Sequence, residues 1–204
     1  MTKLQRDTVV RTALTLLNEV GLDGLTTRRL AERLGVQQPA LYWHFRNKQA
    51  LIAALAEAMM AENHDRAVPQ PGEDWRVFLA ENAHSFRRSL LAYRDGARIH
   101  AGTRPSASQM TAVEAQMTLL HGAGFAAGDA ASALLLVSHF VVGSVLEQQT
   151  AEEAADDGTG TKPAVMHDAP LLAAAMAELD RAGPDATFEQ GLATIVAGLA
   201  QRRH

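Results

Sequence analysis

Apolar residues recur at helical spacing along nearly the whole chain, while alternating β-branched runs and Asn-Gly hairpin signals are almost absent. The pattern predicts an all-α protein. Val10, Leu14, Leu17 and Val20 mark the inner face of a first helix that Gly21 ends. A short second helix, TRRLAERL, is capped by Thr26 or Thr27, turns Leu30 and Leu34 inward and stops at Gly35. After the tight turn Val36-Gln37, Pro39 suits the first turn of a third helix, where its missing N–H costs nothing. Asn47 caps a fourth, through Leu51, Ile52, Leu55 and Met59 towards His64.

Residues 67–74, AVPQPGED, break the pattern before a fifth helix carrying Trp75, Phe78, Leu79, Asn82, Phe86 and Leu90 on one face. His64 and Asn82 are the polar members of otherwise apolar stripes. Residues 94–105 read as a short helix and a turn closed by Pro105, followed by a helix over roughly 107–122. Residues 129–149 are apolar on nearly every side, which predicts a buried helix, within the subunit or between subunits. The acidic, then Gly/Thr-rich stretch 151–168 reads as a flexible loop. Two last helices follow near 169–182 and 186–202, the second with Gly191 and Gly198 allowing close approach. The division expected is a helix-turn-helix head, residues 1–47, and a ligand-binding and dimerisation body, residues 48–204.

Charge sharpens that division. Residues 1–50 hold eight Lys/Arg against four Asp/Glu, a net +4, whereas the whole chain is −4 and the remainder therefore −8. A basic head on an acidic body suits contact with a polyanion at one end. Cysteine is absent, which excludes disulfides, thiolate metal sites and cysteine nucleophiles. Neither a signal peptide nor a segment long and apolar enough to span a bilayer is evident, so a soluble cytoplasmic protein is expected.

Helix, glycine-containing turn and short aromatic helix are the layout of a helix-turn-helix, whose second helix enters the DNA major groove. Gln37 and Gln38 can present amides to base edges and Ala40 a methyl to thymine. Tyr42 and His44 can bond phosphates, as can Thr27, Arg28 and Lys48 from flanking elements, and Pro39 and Trp43 share the same surface. Leu41 and part of Trp43 and Phe45 should anchor the helix, core packing outweighing base contact for both aromatics.

The run LTTRRLAERLGVQQPALYWHFRNKQAL resembles the DNA-binding head of the TetR family of transcriptional regulators. The body, with ENAHSF, LLAYRDGARIHAGTRP and HFVVGSVLEQQ, is similar to tetracycline-responsive members of that family, from about residue 3 onward. The resemblance implies a homodimeric repressor that binds palindromic operator DNA and is released by a tetracycline carrying Mg²⁺, permitting expression of an efflux gene. It implies that His64, Asn82 and Gln116 bond the drug, that Phe86 and Val113 lie in its pocket, and that His100 ligates the metal directly. Thr103 and Glu147 would hold the metal's waters, Glu147 from the second subunit, and Arg104 and Pro105 belong to a turn that moves on binding. Mg²⁺ prefers oxygen and keeps several waters, so one imidazole with water-mediated Thr and Glu suffices only where the ligand supplies oxygens. Ala40 departs from the threonine that several family members carry.

Two rivals remain at this point. One keeps the fold and changes the inducer to another hydrophobic compound. The other is a helical metalloenzyme built on the Glu-x-x-His spacing of Glu81 and His84, but that motif occurs once where a di-iron bundle needs two. No Ser-His-Asp set or carboxylate pair points to catalysis.

Overall fold

Side-chain caps set the helix starts. In the computed structural model, which describes residues 4–156, 158 and 169–201, the Thr26 hydroxyl accepts from the Arg29 N–H at 3.2 Å, Asn47 Oδ1 from Ala50 at 2.8 Å and Asp74 Oδ1 from Arg76 at 2.8 Å. The helices are α1 (Arg6–Gly24), α2 (Thr27–Leu34), α3 (Pro39–Tyr42), α4 (Lys48–Asn63), α5 (Trp75–Leu91), α6 (Gly96–His100), α7 (Ala107–Gly122), α8 (Ala127–Asp156) and α9 (Pro170–Gln201). Among the described residues every regular element is helical, as the periodicity predicts.

Glycines punctuate where expected. Gly21 leaves helical geometry at φ 69°, and a final turn carries α1 on to Gly24. Gly35 ends α2 in the left-handed region at φ 66°. Gly183, at φ 78°, splits α9 into the two expected pieces, and Pro184 opens the second. The predicted loop 151–168 begins late, because α8 continues to Asp156; residues 157 and 159–168 lie outside the described ones. Of the two close-approach glycines only Gly191 meets a neighbour, the Phe140 ring, which a Cβ would approach to 2.6 Å. Gly198 faces open space in the single chain.

Helices α1–α3 form the head, with Leu30, Leu41 and Phe45 buried against Val9, Val10, Ala13 and Leu17. Helix α4 joins head to body, packing on α1, α5 and α6. One apolar core runs from Val9 to Leu199.

Helix α8 corrects two expectations. An 18-residue window of it reaches a mean hydropathy of 1.7, so it has the length and composition of a membrane span. The physical reason lies in its central position: Ala130, Ala133, Val137, Val141 and Val145 bury against the body, where α8 packs on α5, α6, α7 and α9. Yet the helix is only half-covered in one protomer, since Leu135 is 57% exposed and Leu136 45%. In α9 the first piece carries its apolar residues outward too, with Leu171 84% exposed.

Candidate functional site

Helix α3 is a single turn and cannot hold itself in place. Leu41 and Phe45 fasten it to the core, and the Arg6 guanidinium lies 5.3 Å from the centroid of the Phe45 ring. Trp43 does not help: it is 90% exposed, correcting the expectation that part of it is anchored. Helical geometry explains this, since Leu41 and Phe45 are four apart on one face while Trp43 points opposite. Tyr42, Gln37, Pro39 and Lys48 are exposed beside it, and Gln38, Ala40 and His44 are half-buried. Gln38 donates to the Thr27 hydroxyl at 2.7 Å, so α2 orients an amide at the start of α3. Arg28 pairs with Glu32 at 3.0 Å, but both are largely exposed and such a pair is weak enough to exchange for a phosphate. The outcome is a continuous polar and aromatic face on α2, α3 and the start of α4.

A second set of residues converges in the body. His64 ends α4, Asn82, Ser85 and Phe86 line one side of α5, and His100 ends α6. The Phe86 ring sits between both imidazoles, 5.7 Å from His64 and 4.9 Å from His100, centroid to centroid. Asn82 Nδ2 donates to the Arg66 carbonyl at 2.9 Å and lies 3.4 Å from His64 Nε2. Ser85 Oγ donates to Asp65 at 2.7 Å, accepts from the Arg66 N–H at 3.2 Å and lies 2.9 Å from His64 Nδ1.

Burial pushes the His64 imidazole down to about 4, opposed by Asp65 and assisted by His100 and Arg88; burial also lowers His100. Both rings are therefore neutral at physiological pH and present lone pairs. Among the described residues His100 Nδ1 is buried without a hydrogen-bond partner, an orphan that asks for a ligand. Thr103 Oγ1 donates to the His100 carbonyl at 2.7 Å, tying the following turn to α6. From α7, Gln116 Nε2 donates to the Ala67 carbonyl at 2.7 Å, and Val113 is half-buried. Arg104 and Pro105 are exposed, and Glu147 stands on the exposed face of α8. Among the described residues no three His, Asp or Glu side chains gather to hold an ion. Glu81 and His84 do not form one either: Glu81 is exposed, and His84 packs on Phe188 and lies 3.4 Å from Glu189.

Sequence reasoning missed the link between this cluster and the head. Asp95, the left-handed residue preceding α6 (φ 58°), is buried and accepts the Leu22 N–H at 2.7 Å from α1. Arg98 bridges Asp95 at 2.8 Å and Asp23 at 3.1 Å. Beyond His100, Ser106 donates to Glu57 of α4 at 3.0 Å. The only signal for Asp95 was its place in the Asp-Gly turn of RDGA. Ser85 and Asp65 were also missed.

Residues 9–55 match the family model described as "Bacterial regulatory proteins, tetR family", and residues 68–203 that described as "Tetracyclin repressor-like, C-terminal domain". The chain is 64% identical over 203 residues to the tetracycline repressor protein class A from transposon 1721 of Escherichia coli, covering 100% of this chain and 94% of that protein. It is 59% identical to the class C repressor protein of Escherichia coli, again over 100% of this chain and 94% of the other. Among solved structures, TetR(class A) in complex with 5a,6-anhydrotetracycline and magnesium is 58% identical with a TM-score of 0.78, covering 98% of this chain and 100% of that one. TetR from Acinetobacter baumannii AYE is 54% identical with a TM-score of 0.81, covering 99% and 100%.

Proposed function

Because this chain belongs to the TetR family of bacterial regulatory proteins, we propose that it is a homodimeric transcriptional repressor, released from operator DNA by a tetracycline chelated to Mg²⁺. Residues 1–47 would serve as its DNA-binding head and 48–204 as its ligand-binding and dimerisation body. Two heads on a two-fold dimer read a palindrome, with recognition helices about 34–36 Å apart. The uncovered apolar faces of α8 and α9 support a helical bundle with a second protomer.

The observation that carries the inducer reading is the cluster in which Phe86 lies against both His64 and His100 and Asn82 against His64, with the buried Nδ1 of His100 lacking a partner among the described residues. An imidazole alone is a feeble magnesium ligand, and the lack of an ion-holding cluster fits a metal that arrives with its own oxygen donors. His100 would hold the ion directly, with Thr103 and the second protomer's copy of Glu147 acting through water. When bound, the ion neutralises the oxygens of the chelating drug. Asn82, His64 and Gln116 would bond the drug's polar edge, Phe86 and Val113 its ring system, with Arg104 and Pro105 in the adjoining turn.

Signal transfer follows from the bond that Asp95 makes at the start of α6 and the bond that Ser106 makes at the start of α7. A ligand that displaces His100 pulls on Asp95, hence on Leu22 of α1, and through Ser106 on Glu57 of α4. The heads then leave the spacing that DNA requires. To move a 1:99 population to 99:1 the drug must favour the released state by about 5.5 kcal/mol. Such release in the cytoplasm permits expression of a tetracycline efflux gene.

A tetracycline fluorescence titration in Mg²⁺ and again in EDTA tests this. Tight binding that EDTA and His100→Ala each abolish is expected. Binding in neither condition returns the protein to the wider family with another inducer.

A further inference from the structure

Helix α6 does not cap itself. Asp95 stands at its N-cap, where an aspartate ordinarily accepts from the helix's own first N–H groups. Its carboxylate makes no such bond, because it goes to the Leu22 N–H at 2.7 Å and to Arg98 at 2.8 Å. The cap comes from α8 instead: Gln149 Oε1 accepts the Ala97 N–H at 3.2 Å. The same amide turns its nitrogen to the end of α5, donating to the Tyr93 carbonyl at 2.8 Å and the Leu90 carbonyl at 3.3 Å. Only this orientation of the amide works, since the two carbonyls can only accept and the Ala97 N–H can only donate. One half-buried side chain thus serves two helix ends, where backbone groups lack partners within the helix. Gly96 keeps those ends close, as a Cβ there would stand 2.0 Å from the Leu90 oxygen.

This corner lies between α8 and α1. Gln149 and, one turn on, Glu153 hold it from α8, Glu153 pairing with Arg94 at 2.6 Å. Asn18 and, one turn on, Leu22 hold it from α1: Asn18 Oδ1 accepts the Arg94 N–H at 2.9 Å, and Leu22 donates to Asp95. A left-handed residue followed by glycine is a place where a chain bends readily, and a bend there would take up any motion of α6. We propose that Gln149, backed by Glu153, is a positioning residue for release from DNA: it stiffens the α5–α6 corner, so that a displacement of His100 reaches α1 and is not absorbed between Leu90 and Ala97. The part concerning release rests on the inducer reading above, whereas the stiffness of the corner does not. Drug and operator act on one another through a linked equilibrium, so a slack corner lets each bind more nearly as if the other were absent.

The test uses full-length protein and a palindromic duplex that the wild type selects from a random pool. Tetracycline with Mg²⁺ is titrated into free protein and into protein saturated with that duplex, and the ratio of the two affinities measures the coupling. Gln149→Met keeps the length of the side chain and removes all three bonds. It should leave drug affinity of the free protein nearly unchanged, lower the ratio by about tenfold and leave operator release incomplete at saturating drug. Glu153→Ala loosens the same corner from the surface and should lower the ratio in the same direction; it decides the matter if Gln149→Met fails to fold in urea melts. A merely structural role would weaken both drug affinities together and leave their ratio at the wild-type value, and that result overturns the proposal. If the wild type binds the duplex but no tetracycline, the inducer reading fails and the corner is judged by hydrogen exchange of the Arg94 amide on its α1 side. Faster exchange in Gln149→Met upholds the stiff corner, and unchanged exchange overturns it.

Discussion

Removing the Asp95 carboxylate should loosen the head from the body by an amount the structure allows to be worked out. Asp95 is 7% exposed, and its Oδ2 accepts the Leu22 N–H at 2.7 Å. Loss of a buried bond to a charged group costs about 1.5–3 kcal/mol, and the Leu22 N–H is left without its acceptor. Arg98 keeps Asp23, so its share is small, as for exposed pairs generally. Asp95→Ala also places an alanine at φ 58°, adding about 1 kcal/mol; Asp95→Gly removes that strain while losing the same bonds. Taking about 2 kcal/mol for the bonds alone, local opening at Leu22 becomes roughly thirtyfold more frequent. Hydrogen exchange of the Leu22 amide in Asp95→Gly reads this directly. Exchange unchanged from wild type would mean that the latch carries no energy and that the route from His100 to α1 is wrongly drawn.

Trp43→Ala should lower operator affinity while changing stability by no more than about 0.5 kcal/mol, whereas Phe45→Ala should cost about 3–5 kcal/mol; urea unfolding and DNA titration separate the two. The folded-state value of about 4 for His64 lies below the ordinary 6.5, so between them the unfolded chain binds a proton that the folded chain refuses. Stability should hold above pH 6.5 and fall as pH drops towards 4, on the order of 2 kcal/mol after allowance for the ring's partial exposure. His64→Asn should flatten that slope in denaturant melts. Leu135→Asp should turn the dimer into a monomer by light scattering without unfolding the protomer; a dimer that persists would move the interface elsewhere.

Much of this architecture is legible in one dimension because helices announce themselves locally. Asn47 and Thr26 are capping residues, and Gly35 and Gly183 occupy left-handed turns, so their roles follow from neighbours within four positions. Phe45 and Trp43 show the limit. Both are aromatic and two positions apart, and which one shares the buried face of Leu41 is decided by how this short segment packs on the rest of the head. Asp95 and Ser85 were illegible for a stronger reason, since Asp95 meets Leu22 across 73 positions and Ser85 meets Asp65 across 20. Apolar residues all round α8 predicted burial, but could not say how much of it one chain supplies. The apolar stripes made His64 and Asn82 stand out as polar members, but their roles, and the choice of His100, came from resemblance.

The half-covered α8 also ties this protein's existence as a folded molecule to its abundance. A protomer that leaves Leu135, Leu136 and Leu171 in water gains part of its stability only by meeting another, so its melting temperature should climb with concentration. Dilution acts on it as a mild denaturant. A regulator kept at few copies per cell thus needs an interface that persists through scarcity, and newly made chains stay exposed to proteolysis and aggregation until they find a mate.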